Sequence, residues 1–362
     1  MIPIYSPYIK KYTKSAEKQL RAGWISNHGK FVDLTTELMC KILNVRYCIL
    51  MNTGTAATEC LLQALLFTYP QIKRLYIPDF VFIAPWSLSY RYFSPEKITP
   101  LKVNTLTMNM DTSEKYLMSL EKGAAIFCVH NLGSIVNIPR IKRIRPDLKI
   151  IEDNCEGLFG KYEGIYTGSS DSSMASACSF YGNKIITSGE GGAFFTNNSK
   201  IYDYILKYHS HGMTHIRYIH DIPGQNYRMT NIQASLLYDQ LLDIEHILFL
   251  KHQIIANYEK LLSSLNHDVK ILSTESDTKK SNWMMAIILP TGKYEVLEKY
   301  MLNHKIEVRP FFYSILKHLF LDQIDKTTSS KMPNNSYGVL LPSYPDLTLA
   351  QQEHVINVLD KY

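Results

Sequence analysis

Tyr47-Cys48-Ile49-Leu50-Met51 is an apolar run, followed at once by Asn52-Thr53-Gly54-Thr55-Ala56-Ala57. A short apolar run closed by a turn signal predicts a buried strand. The residues after it open a helix, predicted from about Ala56 to Phe67. The unit recurs outward from there. Strands are expected over 74–77, 124–129 and 148–152, the last preceded by a helix over Ile138–Ile144. Strands alternating with helices predict an α/β fold, a mostly parallel sheet with helices on both faces. Loops leaving such strands gather at one edge of the sheet, where ligands bind.

Further along, Ile232, Leu236, Leu237, Leu241, Ile244 and Leu248 recur at three- and four-residue steps. Helix is therefore expected over 230–265, as two helices or as one connecting two domains. A polar segment over 273–281 precedes a strand over 283–289, and the remainder reads as a smaller C-terminal α+β domain. The division expected is 17–249 for the large domain and 250–362, with 1–16, for the small one. The polar run 326–335 predicts a mobile loop. The stretch 169–179 is rich in Ser and Ala, too small and polar for a core strand throughout.

Composition narrows the function. At roughly 150 residues per domain, 362 residues suggest about two. With 46% hydrophobic and 20% charged residues the chain can fill a core. The charge of +6 is thinly spread. Its densest stretch, Arg140, Lys142, Arg143, Arg145 and Lys149, reads as the solvated face of a helix, and no nucleic-acid module accompanies it. The six cysteines show no zinc-type spacing, so no metal is expected, and they suit a reducing compartment. Residues 1–14 offer no signal-peptide block, and no run is long enough for a membrane span. The expectation is a cytoplasmic protein with no membrane or nucleic-acid partner.

Three stretches carry candidate chemistry. Around Gly54 and Thr55, a helix start offers free N–H groups to a phosphate; an ordinary capped helix would look the same. Asp153 ends a strand at the ligand edge. It can keep a heteroaromatic nitrogen protonated, or merely cap a helix. Lys184 follows Ser179-Phe180-Tyr181-Gly182-Asn183 and precedes Gly189-Glu190-Gly191-Gly192. Held rigidly and partly desolvated, its amine is a nucleophile for a carbonyl; the alternative is a surface lysine among turn glycines. Pyridoxal 5'-phosphate requires a lysine, a carboxylate on its pyridinium nitrogen and a phosphate cup, and each has a candidate. Phe82, after the strand ending near Pro78, is a candidate for the face of the cofactor ring.

With these stretches, Asp153–Glu156 and Gly224-Gln225-Asn226-Tyr227-Arg228-Met229-Thr230 resemble the nucleotide-sugar aminotransferases of the DegT/DnrJ/EryC1/StrS type. The resemblance runs from Trp24 to Ser343 and is densest over 153–197. It implies a fold-type I aminotransferase dependent on pyridoxal phosphate. Lys184 would be the Schiff-base lysine and proton shuttle, and Asp153 the partner of the ring nitrogen. Gly54, Thr55 and Ser179 would bind the phosphate, Phe82 would stack on the ring, and Glu156 would lie beside the cofactor. Asn226 would reach the phosphate of the neighbouring subunit, giving a homodimer with sites at the interface. Trp24, Ser26, Arg228, Arg309 and Tyr313 fall where relatives line the sugar-nucleotide pocket, although a structural role fits them equally.

A branch of the family places histidine at the position of Lys184 and acts as a 3-dehydratase, so the lysine implies transamination. The implied substrates are L-glutamate and a nucleotide-linked 4-keto-6-deoxyhexose, aminated at C4. "SFYGNK" and "NYRMTNIQA" resemble viosamine and perosamine synthases most. The expectation leans to a UDP- or dTDP-linked viosamine-type product for glycan synthesis. The alternatives are a GDP-linked perosamine type, a 3-aminotransferase or dehydratase, and a regulator that binds without turnover. Two departures stand out. The stretch 168–179 is about two residues longer than in relatives, which predicts an altered pocket edge near the sugar. Leu316 replaces a histidine usual after the "RPFF" at 309–312.

Overall fold

The computed structural model describes residues 1–265, 268–332 and 336–362. Its strands are β1 (Tyr47–Met51), β2 (Leu75–Pro78), β3 (Ile98–Leu101), β4 (Ala125–Val129), β5 (Lys149–Asp153), β6 (Lys161–Tyr162), β7 (Ile165–Tyr166), β8 (Ser176–Ser179), β9 (Gly192–Thr196), β10 (Lys270–Ile271), β11 (Thr278–Lys279), β12 (Met285–Leu289), β13 (Arg309–Pro310) and β14 (Tyr337–Leu341). The α-helices are α1 (Lys14–Ala22), α2 (Lys30–Leu43), α3 (Gly54–Thr68), α4 (Ala84–Tyr92), α5 (Glu114–Ser119), α6 (Ile138–Ile144), α7 (Ser199–Tyr208), α8 (Asn231–Leu242), α9 (Ile244–Leu262), α10 (Tyr294–Asn303) and α11 (Leu349–Asp360).

Among the described residues the main sheet has seven strands in the order β1-β9-β8-β5-β4-β2-β3. Strands β8, β5, β4, β2 and β3 pair in parallel, while β9 runs antiparallel to both its neighbours. The ends of β1, β2, β5 and β8 therefore open on one edge. A four-stranded antiparallel sheet, β10-β12-β14-β13, comes from the C-terminal part. Ile2 bridges to Ile306 beside it. A small sheet joins β11 to the hairpin β6-β7.

Helix α3 packs across β8 and β9 and is buried on nearly every side. Each of its buried leucines, Leu61, Leu62 and Leu65, contributes about 1.5–3 kcal/mol by leaving water. Such close packing needs small residues on the sheet, which explains Ser176-Ala177-Cys178-Ser179 in its middle. Strand β8 thus occupies only the end of the Ser- and Ala-rich stretch, whose composition argues against strand throughout. The helical run from Thr230 is two helices. The first is closed by a capping box in which Thr230 and Gln233 bond reciprocally.

One further expectation changes. Arg145 does not belong to a solvated face. It is buried, donating to the carbonyls of Leu117, Leu120 and Glu121 and pairing with Asp147. The long stretch 168–179 reaches the ligand edge: its Gly168 N–H and Ser173 hydroxyl bond Glu152, and its last residue, Ser179, lies against Gly54. Strand β8 runs parallel to β5 with Ser176 level with Glu152 and Ala177 level with Asp153, while 171–174 line a cleft with Leu148 and Lys149. In the polar run 326–335, residues 333–335 lie outside the described residues. No described helix is long and apolar enough to cross a membrane.

Candidate active site

The site is built where β1, β5 and β8 end. Thr53 caps α3, its hydroxyl accepting from the Ala56 N–H at 3.0 Å. Gly54 and Thr55 supply the first-turn N–H groups, which lack intrahelical acceptors. Gly54 is packed on Ser179: a Cβ added to it would stand 2.6 Å from the Ser179 Cβ. Gly192, where β9 begins, leaves equally little room, since its Cβ would come within 2.4 Å of the Thr53 carbonyl. Glycine at 54 and 192 thus lets the helix start sit directly on the strand ends. Thr55 is exposed, while Ser179 is buried.

Asp153, the last residue of β5, is buried and accepts from the Cys155 N–H at 3.0 Å. Burial raises its carboxyl pKa, and the nearby Lys184 ammonium opposes that rise. Behind it, Glu152 accepts from His130, Gly168 N–H and Ser173, each at 2.8 Å. His130 Nδ1 accepts from the Val136 N–H, so the ring proton sits on Nε2 and faces Glu152.

Lys184 Nζ stands 3.6 Å from Glu156 Oε1 and 4.6 Å from the centroid of the Trp283 ring. The other oxygen of Glu156 accepts from the Leu132 N–H at 2.7 Å. Leu132 delivers that N–H from a left-handed conformation, φ 55°, uncommon for a leucine. Burial pushes the Glu156 carboxyl up to about 7, against the pull of Lys184.

The loop 224–230 is tied to the start of α3. The Asn52 N–H donates to the Tyr227 carbonyl at 2.8 Å, and its side-chain amide to the Asn226 carbonyl at 3.2 Å. The Tyr227 hydroxyl reaches Glu59 on α3 at 2.9 Å, where Tyr92 and Tyr208 also donate. Asn226 is exposed, and Arg228 bonds Ser210 at 3.0 Å.

The structure thus brings Gly54, Asp153, Glu156, Ser179 and Lys184 together. Phe82 is exposed on the loop after β2, edge-on to Phe312. Trp24, Ser26, Arg309 and Tyr313 are exposed outside the buried cluster, Arg309 pairing with Glu307. Leu316 is exposed as well. Trp283 and Glu59 were not among the sequence candidates. Trp283 carries no motif, and its approach to Lys184 spans about a hundred positions.

A mostly parallel sheet with a half-buried lysine, an edge carboxylate and a helix start at one edge defines a class of aminotransferase fold. Residues 8–360 match the DegT/DnrJ/EryC1/StrS aminotransferase family, and the chain belongs to it. Among similar relatives is the GDP-perosamine synthase of Escherichia coli O157:H7, 29% identical over 370 residues, which span 100% of this chain and 98% of that protein. The GDP-4-keto-6-deoxy-D-mannose 3-dehydratase of Yersinia pseudotuberculosis is 24% identical, covering 87% of each. The solved Helicobacter pylori PseC, an aminotransferase involved in the biosynthesis of pseudoaminic acid, shares the fold. Its TM-score is 0.87 at 20% identity, over 98% of this chain and 97% of that one.

Proposed function

We propose that this aminotransferase moves an amino group from L-glutamate to C4 of a GDP-linked 4-keto-6-deoxyhexose, forming a 4-amino-4,6-dideoxyhexose nucleotide. The observation carrying it is the half-buried Lys184 amine between Glu156 and the edge that holds Asp153. The residues fit pyridoxal phosphate as cofactor. Gly54 lets the free N–H groups of the α3 start sit directly beside the Ser179 hydroxyl, where a Cβ would intrude, and Asp153 is a buried acid in reach of the amine's field. When bound, that cofactor supplies a carbonyl for amines and a protonated ring that draws electrons from the reacting carbon.

The chain's own groups divide the remaining work. Lys184 holds the cofactor and carries the proton to and from the reacting carbon. Asp153 keeps the ring nitrogen protonated, and its buried position strengthens that bond. Gly54, Thr55 and Ser179 take the phosphate. Phe82 covers the ring face, and Glu156 borders the ring beside Lys184. Asn226 completes the phosphate site of a second copy, so the active form is a homodimer. Trp24, Ser26, Arg228, Arg309 and Tyr313 are assigned to the sugar nucleotide. The division at 249/250 belongs to this reading, supported by the separate C-terminal sheet.

The GDP preference rests on the Escherichia coli relative. It replaces the lean towards a UDP- or dTDP-linked viosamine type. The second reading is dehydration at C3, favoured by the Yersinia pseudotuberculosis relative and opposed by Lys184. The test is incubation with glutamate and 4-keto-6-deoxyhexoses on GDP, UDP and dTDP, read by mass spectrometry. An aminated GDP sugar with 2-oxoglutarate is expected. A sugar that has lost water without gaining nitrogen, or amination only on another nucleotide, overturns this reading.

A further inference from the structure

Lys251, midway along α9, is buried, with both of its hydrogen bonds going to main-chain carbonyls. It donates to the Trp283 carbonyl at 2.6 Å and to the carbonyl of Ser343. Burial pushes its amine down to about 7, so the position is costly to keep. Trp283 is itself buried and pinned at its other end, the indole N–H donating to the Asn183 carbonyl at 2.9 Å. Its ring faces the Lys184 amine. A narrow cleft lined by Asn183, Lys184, Lys251 and Trp283 joins these groups.

We infer that Trp283 is the resting face of the Lys184 amine when that amine is free of the cofactor, and that Lys251 is a positioning residue acting through Trp283. This rests on reading Lys184 as the lysine that holds the cofactor. An aromatic face stabilises an ammonium at close range. Lys184 is released and recaptured in each turnover, and a fixed ring keeps the freed amine beside Glu156. Lys251 fixes the ring because its two carbonyl partners lie at the entry to β12 and the exit from β14, the C-terminal sheet. α9 is thereby bolted to the segment that presents the indole.

The test is acetylation of Lys184 by acetic anhydride at pH 7 in the full-length protein stripped of cofactor, read by peptide mass spectrometry. Only the free amine reacts, and the ring favours the ammonium. Trp283→Leu is expected to raise the Lys184 rate about threefold. Trp283→Phe, which keeps a ring, stays near wild type. Equal rises in both variants mean that access alone changed, and overturn the role of the ring. Lys251→Met is expected to match Trp283→Leu, and the double variant to rise no further. A wild-type rate in Lys251→Met, or additive rises, overturns the positioning role. Should Lys251→Met not fold, Lys251→Gln is read by the same criteria. Absent turnover with these ratios intact would count against the aminotransferase reading alone.

Discussion

The carboxylate of Glu156 and the amine of Lys184 lie 3.6 Å apart in a buried pocket, and burial, not the amine, sets the carboxyl's pKa near 7. A carboxyl whose folded pKa is raised binds protons more tightly when folded. Its contribution to stability is full below the unfolded value of about 4.3 and is lost as pH rises towards 7. Glu156→Gln removes that loss. The stability of the cofactor-free variant relative to wild type should rise by about 1–3 kcal/mol between pH 4 and pH 8. Urea unfolding at the two pH values measures it, and a difference independent of pH contradicts the assignment.

Lys184→Ala should abolish 2-oxoglutarate formation from glutamate, by at least about a thousandfold, with an unchanged far-UV circular dichroism spectrum. General acid–base assistance alone contributes about 10²–10⁴-fold, and the variant also loses the covalent anchor. Retained turnover would remove Lys184 from the mechanism.

Gly54→Ala places a methyl group 2.6 Å from the Ser179 Cβ, where the neighbour is the edge of a central strand. Overpacking of this kind costs about 1–3 kcal/mol. A lowered melting temperature and at least about tenfold weaker pyridoxal phosphate binding, by fluorescence titration, are expected. Wild-type affinity would place the phosphate elsewhere.

Asn226 can be tested in a hybrid dimer. One chain carries Lys184→Ala with Asn226→Ala, and the other is wild type. If Asn226 serves the partner's phosphate, the intact Lys184 site holds cofactor about tenfold less tightly, the scale of a lost bond to a charged group. Equal retention in this hybrid and in one with Lys184→Ala alone would show that Asn226 acts elsewhere.

The parts of the fold legible in sequence were those whose residues carry their own signal. β1, β4 and β5 are apolar runs, and α6 begins at Ile138 with a proline in its first turn and Asn137 as its cap. β9 was missed because it opens on glycines that read as a turn. β8 was only half legible, since Ser176-Ala177-Cys178-Ser179 owe their burial to α3 lying on them. Arg145 was misread because its partners are carbonyls near residue 120, which no local pattern reveals. The same holds in the site. Lys184 and Asp153 are marked by neighbouring motifs, whereas Trp283 and Lys251 depend on contacts 99 and 32 positions away, Lys184 to Trp283 and Lys251 to Trp283.

Three phenols, from α4, α7 and the 224–230 loop, converge on the single carboxylate of Glu59. This constrains how such enzymes can be recombined. A chimaera that imports loop 224–230 from a relative to change its product inherits a main chain spliced to Asn52 and a hydroxyl that needs Glu59. Crossovers between positions 59 and 227 therefore succeed only when the donor brings the same acid and tyrosine. The portable cassette is the loop together with the first turns of α3.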